Sequence, residues 1–195
     1  MALCLDIEYM KPILILLHGT SLKEFEERIE DFRDFDVIWA SMNFYWQTEA
    51  ILQKIGKSLD MVICLDEDIL VRFSKEMDDF KRRGEFISRE RFTHYEGNTI
   101  FCFLMYLIRN GFKEIFLFGA DGYSDEKDFY YKQEQRQEGI SSGRNQELKE
   151  NTEYLNDNFP KDIGDVKIYN VSPNSHYEPF KKISYDECIS LLKEK

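Results

Sequence analysis

The chain has 195 residues, 43% hydrophobic and 32% charged, with 26 Lys plus Arg against 37 Asp plus Glu and a formal net charge of -11. This length suits one domain whose core needs neither disulfides nor metal, and the composition excludes a disordered chain and an integral membrane protein. The acidic balance argues against nucleic acid and anionic membrane surfaces, which are recognised through Lys and Arg, but not against a compact anion held by backbone N–H groups.

Cys4, Cys64, Cys102 and Cys188 are not at ligand spacing, so no structural zinc is expected. Cys64 and Cys102 sit in apolar runs as small hydrophobes, and a reducing, cytoplasmic setting is expected. Asp6 and Glu8 interrupt the start, against a signal peptide. The longest apolar run, Ile100 to Ile108, falls well short of the ~20 residues of a membrane helix, so no transmembrane segment is expected.

Strand-length apolar runs alternate with amphipathic stretches. Ile13 to Leu17 is continuously apolar and predicts a strand buried on both faces, as in a parallel sheet. A helix follows to about Phe32, with Ser21 and Glu24 placed for a capping box. Asp36 to Ala40 predicts a second strand, and Tyr45 to Ile55 a helix stopped by Gly56. Met61 to Leu65 predicts a third strand. Asp68 to Arg82 has apolar residues at helical spacing and stops at Gly84. Asn98 or Thr99 caps a helix, apolar nearly all round, that ends at Asn110-Gly111. Glu114 to Phe118 predicts the next strand. A polar segment follows, with a flexible turn at Gly139 to Gly143 and helical character from Asn145 to Asn156. Val166 to Asn170 predicts a last strand, and Tyr185 to Leu192 a terminal helix. The alternation gives an α/β fold with a mostly parallel sheet and helices on both faces. Ligands of such sheets bind at the carboxyl ends of the strands.

Those ends carry the candidate chemistry. His18-Gly19-Thr20-Ser21 follows the first strand, either as an anion-binding loop or as an ordinary tight turn. Ser41-Met42-Asn43 follows the second. Asp66-Glu67-Asp68 follows the third, either as oxygen ligands for Mg²⁺ or as acids favouring a helix start. Asp121, between Gly119-Ala120 and Gly122-Tyr123, is expected in a buried hydrogen-bonding role. Ser172-Pro173-Asn174-Ser175-His176 follows the last strand. His18 and His176 can both face one crevice as general bases, whereas His94 sits in a polar stretch. Tyr123 and Tyr130 can reach the same crevice.

Five segments, in order, resemble a known superfamily. His18-Gly19-Thr20-Ser21-Leu22-Lys23-Glu24 resembles the Gly-x-Gly-Pro-Ser-Leu-Lys-Glu opening of bacterial lipooligosaccharide sialyltransferases. Motility-associated glycosyltransferases and archaeal pterin pyrophosphokinases share that opening. Asp36-Val37 with Asn43-Phe44-Tyr45, Asn98-Thr99, Asn110-Gly111-Phe112-Lys113-Glu114-Ile115 leading to Gly119-Ala120-Asp121-Gly122-Tyr123, and Pro173-Asn174-Ser175 resemble later segments. The resemblance implies a single Rossmann-like, nucleotide-sugar-binding domain over residues 1–195, in which the long polar segment at 124–144 is expected as a lid or loop by its length. It further implies metal-independent transfer of a sugar from a CMP-type donor to a glycan acceptor.

Under that resemblance Gly19, Asn43, Asn98, Thr99, Gly119 and Asp121 surround the nucleotide, and His18, Thr20, Ser21, Asp66, Asn174 and Ser175, at the same strand ends, are expected to bind it with them. Tyr123 and Tyr130 stabilise the departing phosphate, where charge develops in the transition state. Ser142 occupies the place of the family's catalytic histidine, which leaves His176 as the base. The donor sugar and glycan acceptor are the partners expected, and homo-oligomerisation is left open. Two alternatives stand: a Mg²⁺-dependent pyrophosphokinase using ATP, with Asp66, Glu67 and Asp68 at a suitable strand end, and a nucleotide-binding relative without catalysis.

Overall fold

The computed structural model describes residues 11–92, 98–122 and 141–195, with the backbone alone for 141–145. Seven strands form one sheet in the order β4-β3-β2-β1-β5-β6-β7: β1 Ile13–Leu16, β2 Ile38–Met42, β3 Met61–Cys64, β4 Glu85–Ser88, β5 Glu114–Phe118, β6 Lys167–Asn170 and β7 Lys181–Lys182. All six pairings are parallel. The fold is therefore α/β and Rossmann-like, and fully parallel where a mostly parallel sheet is expected. β1 is central, paired with β2 on one side and β5 on the other.

The helices are α1 Leu22–Glu27, α2 Tyr45–Leu52, α3 Glu67–Arg72, α4 Ser74–Lys81, α5 Thr99–Arg109, α6 Ser141–Asn158 and α7 Tyr185–Lys193. Successive strand residues point to opposite faces, and β1 shows the consequence. Leu14 and Leu16 join a cluster with Phe25, Phe32, Leu52 and Tyr185, whereas Ile13, Ile15 and Leu17 join Phe103, Leu107 and Leu155 on the other face. Helices thus cover both faces, which is why the buried strands read as unbroken apolar runs. No helix of the described residues is long and apolar enough to cross a membrane.

Several local expectations are corrected. The capping box of Ser21 and Glu24 does not form. Ser21 is itself helical, at φ -65 and ψ -12, and its hydroxyl turns to Asp121. The expected Asp68–Arg82 helix breaks at Phe73, φ -118, between α3 and α4. There the Phe73 ring packs on Trp46 and Phe44, at centroid distances of 4.6 and 5.8 Å. β4 and β7 carry too little apolar pattern to be read as strands. The segment read as a flexible turn at Gly139 to Gly143 is helical backbone from Ser141 onward, so the lid or loop expected at 124–144 gives way to α6 at its end. Its remainder, like Tyr123, Tyr130, His94 and Cys4, lies outside the described residues.

Candidate functional site

The chain leaves β1 to build β2, β3 and β4 on one side of the sheet, and then returns to build β5, β6 and β7 on the other. The crevice between β1 and β5 is thus the topological switch point, where such sheets bind ligands. A cleft of about 210 Å³ opens there, with His18 and Gly19 after β1, Asn43 after β2, and Gly119 and Asp121 after β5. α2 contributes Gln47, α6 Leu148, and the segment after β6 Tyr177.

The first loop is held by a carboxylate from the other side of the switch. Asp121 Oδ2 accepts from Thr20 Oγ1 at 3.0 Å and from the Ser21 backbone N–H at 2.9 Å. Asp121 Oδ1 accepts from the Ser21 hydroxyl, which also lies 2.7 Å from Ser172 Oγ. A carboxylate accepting several N–H and O–H bonds is a strong fastener. The start of α1 is therefore occupied by the protein's own anion, and the remaining N–H groups of that turn bond back to Gly19, Thr20 and Ser21. Thr20 and Ser21, expected at the nucleotide, both hydrogen-bond Asp121.

Two glycines make this approach feasible. Gly19 donates its N–H to Gly119 O at 2.9 Å, and a β-carbon on Gly19 would fall 2.5 Å from Asp121 Oδ2. Gly119 has φ +68, where side chains are rarely accommodated, and its missing β-carbon would stand 2.6 Å from Leu17 O.

His18 and Asn43 form the opposite wall. His18 Nε2 lies 3.0 Å from Met42 O. A carbonyl only accepts, so Nε2 carries the hydrogen in this bond. The imidazole stands edge-on to Phe44, centroids 6.3 Å apart. Asn43 has φ 50, in the left-handed region. Its N–H is held by Ile63 O at 2.8 Å and its carbonyl by the Tyr45 N–H at 2.9 Å. Its Oδ1 is buried with no hydrogen-bond partner among the described residues. Leaving a buried acceptor unpaired costs about 1–3 kcal/mol.

The other expected residues fall into three groups. Asn98 and Ser175 are buried and fully engaged. Asn98 accepts from the Phe101 N–H at 3.0 Å as the cap of α5, and donates to Asn151 O at 2.7 Å. Ser175 donates to Ala120 O at 2.6 Å and meets Asn170 Nδ2 at 2.8 Å, behind the cleft wall. Thr99 is half-buried in the first turn of α5, beside the lining residue Ile100. Asn174 and His176 are exposed. The His176 backbone N–H donates to Asp121 O at 2.8 Å, and its Cβ would lie 3.3 Å from a β-carbon on Gly122 at the cleft. Asp66 is exposed and caps α3, accepting from the Ile69 N–H at 3.2 Å, outside the cleft lining. Among the described residues no three His, Cys, Asp or Glu side chains gather as a metal site.

Tyr177 was not anticipated. Burial pushes its phenol up to about 12, against a hydrogen bond to Thr152 and with the Asp121 charge adding to the rise. It stays protonated near neutral pH. Its signal in the sequence was only its place two residues after Ser175. No Lys or Arg is among the described lining residues, where Asp121 is the one acid. Comparisons of the chain with family models, with curated proteins and with solved structures return no match.

Proposed function

We propose that the protein is a sialyltransferase-like glycosyltransferase that holds the nucleoside end of a CMP-type sugar donor in the β1/β5 cleft. The observation that carries this reading is Asn43: a strained residue lining the cleft whose buried Oδ1 has no partner among the described residues and is free to accept from a ligand. Strain and unpaired polar groups persist where a function requires them. A nucleoside supplies such donors through its ribose hydroxyls and its base amine. The cleft is smaller than the roughly 300–1,000 Å³ that encloses a whole drug-sized ligand, which fits one part of a nucleotide sugar. The match of Asn43, Gly19, Gly119 and Asp121 to the sialyltransferase-like pattern supplies the donor class.

In the proposed transfer, an acceptor hydroxyl oxygen attacks the anomeric carbon of the donor sugar. The bond from that carbon to the phosphate oxygen breaks, and its electron pair leaves with CMP. The hydroxyl proton passes to His176, which stands beside Gly122 at the cleft rim. Tyr123 and Tyr130, assigned on the resemblance alone, would donate to the departing phosphate. The metal-dependent pyrophosphokinase reading draws no support from the described residues, because Asp66 is committed to capping α3.

A thermal-denaturation series with CMP, UDP, GDP and ATP, each with and without Mg²⁺, tests the reading. CMP without metal is expected to raise Tm. A ligand at a hundred times its Kd stabilises by about 2.7 kcal/mol, or roughly 5–10 °C at this chain length. A flat response to CMP at millimolar concentration overturns the proposal. Binding of CMP without sugar transfer to any glycan favours the non-catalytic relative.

A further inference from the structure

Tyr177 has no part in the transfer scheme, yet several contacts set its place in the cleft. Its backbone N–H donates to Ser175 Oγ at 3.1 Å, and Ser175 is tied to Ala120 and Asn170 in the buried layer behind β5 and β6. Its ring packs against Phe180, centroids 6.1 Å apart. Thr152, buried on α6, hydrogen-bonds the phenol and is itself bonded to Leu148 O at 2.8 Å. Tyr177 therefore lines the cleft together with Asp121, beside Thr152 of α6.

The Thr152 hydroxyl gives its own proton to Leu148 O, so Tyr177 donates in the bond they share, and the phenol oxygen is left to accept from a second partner. The charge nearby decides what that partner is. Asp121 is close enough for its charge to act on Tyr177, and no Lys or Arg is among the described lining residues. A phosphate is disfavoured beside that carboxylate. A neutral hydroxyl, which has a proton to donate, fits the phenol oxygen, and a second such hydroxyl fits Asn43 Oδ1, which has no partner among the described residues.

We propose that Tyr177 is a specificity residue: its phenol hydrogen-bonds a hydroxyl on the sugar ring of the bound nucleotide, oriented for this by Thr152. The inference rests on the nucleotide-sugar reading and names the part of the donor that the β5–β6 side of the cleft recognises.

Calorimetric titration of the full chain with CMP, 2′-deoxy-CMP and 3′-deoxy-CMP tests it, on wild type, Tyr177→Phe and Thr152→Val, each first checked for a cooperative thermal transition. One neutral hydrogen bond is worth roughly 0.5–1.5 kcal/mol, so wild type is expected to prefer CMP over one deoxy analogue by about 2- to 13-fold. Tyr177→Phe should abolish that preference by weakening CMP and leaving the deoxy analogue unchanged, and Thr152→Val should reduce it. Which analogue loses affinity identifies the hydroxyl. If Tyr177→Phe and Thr152→Val keep the wild-type preference, or wild type shows none, the Tyr177 assignment is overturned while the nucleotide reading stands. If wild type binds none of the three, the nucleotide reading fails and takes the assignment with it. Should Tyr177→Phe not fold, Thr152→Val alone decides.

Discussion

Asp121 Oδ2 stands where a β-carbon on Gly19 would have to go, 2.5 Å from it. The absence of one side chain thus lets a carboxylate after β5 fasten the loop after β1. Gly19→Ala must push Asp121 off Thr20 and Ser21 or part the loop from Gly119. Overpacking of this kind costs about 1–3 kcal/mol, and each kcal/mol lowers Tm by roughly 2–4 °C at this length. Thermal denaturation is expected to show that fall, together with weakened CMP binding. A variant with wild-type Tm and affinity would mean that the loop opens without cost.

The clamp itself is tested by grading the Asp121 side chain. In Asp121→Asn the amide oxygen can take the place of Oδ2, facing Thr20 Oγ1 and the Ser21 N–H. The amide nitrogen then faces Ser21 Oγ, which can accept from it while donating to Ser172 Oγ. Pairing survives and charge assistance is lost, about 1–2 kcal/mol by the difference between charged and neutral hydrogen bonds. Asp121→Ala strands the donors and is expected to be less stable still. Urea denaturation should rank wild type above Asn above Ala. Equal midpoints for Asn and Ala would remove the clamp from the account.

How much of this was legible follows from the range of each interaction. β1 and β5 announce themselves because strands covered on both faces must be apolar throughout. β7 is Lys181–Lys182, paired to β6 through backbone alone, and a backbone pairing leaves no mark on side-chain pattern. Of the site, Gly19, Asn43, Gly119 and Asp121 could be found because strand ends can be found. That Ser21 serves Asp121 instead of capping α1 could not be read, since its partner lies 100 positions away. Tyr177 hid among the chain's 11 tyrosines, because what singles it out is Thr152 on another element.

Alkaline pH should destabilise the protein. Burial pushes the Tyr177 and Tyr106 phenols from 10.0 up to about 12, and the Cys64 and Cys188 thiols from 9.0 up to about 12. The unfolded chain releases these protons first, so between pH 9.0 and about 12 it binds fewer protons than the folded chain. Stability then falls as pH rises and is fully present below that window. Urea midpoints should drop between about pH 8 and about pH 11, with Cys64 and Cys188 resisting alkylation until the chain unfolds. A midpoint that holds at the higher pH would show that these groups ionise without opening the core.

The most discriminating substitution is Asn43→Gly, because fold and function pull in opposite directions at that residue. Its φ of 50 suits glycine at no steric cost. Removing the side chain also removes a buried oxygen that has no partner among the described residues, relieving about 1–3 kcal/mol. Against this stands the added freedom of the unfolded chain, roughly 0.4–1 kcal/mol. The balance leaves stability unchanged or up to about 2.6 kcal/mol higher. Ligand affinity should move the other way, because the lost oxygen is the acceptor assigned to the nucleoside. Losing a hydrogen bond of about 1 kcal/mol weakens CMP roughly fivefold. The two readouts are Tm without ligand and Kd for CMP. A Tm at or above wild type with weaker binding places Asn43 in the service of the ligand. A lower Tm with unchanged affinity assigns it to the fold, and the observation carrying the proposed function is then gone.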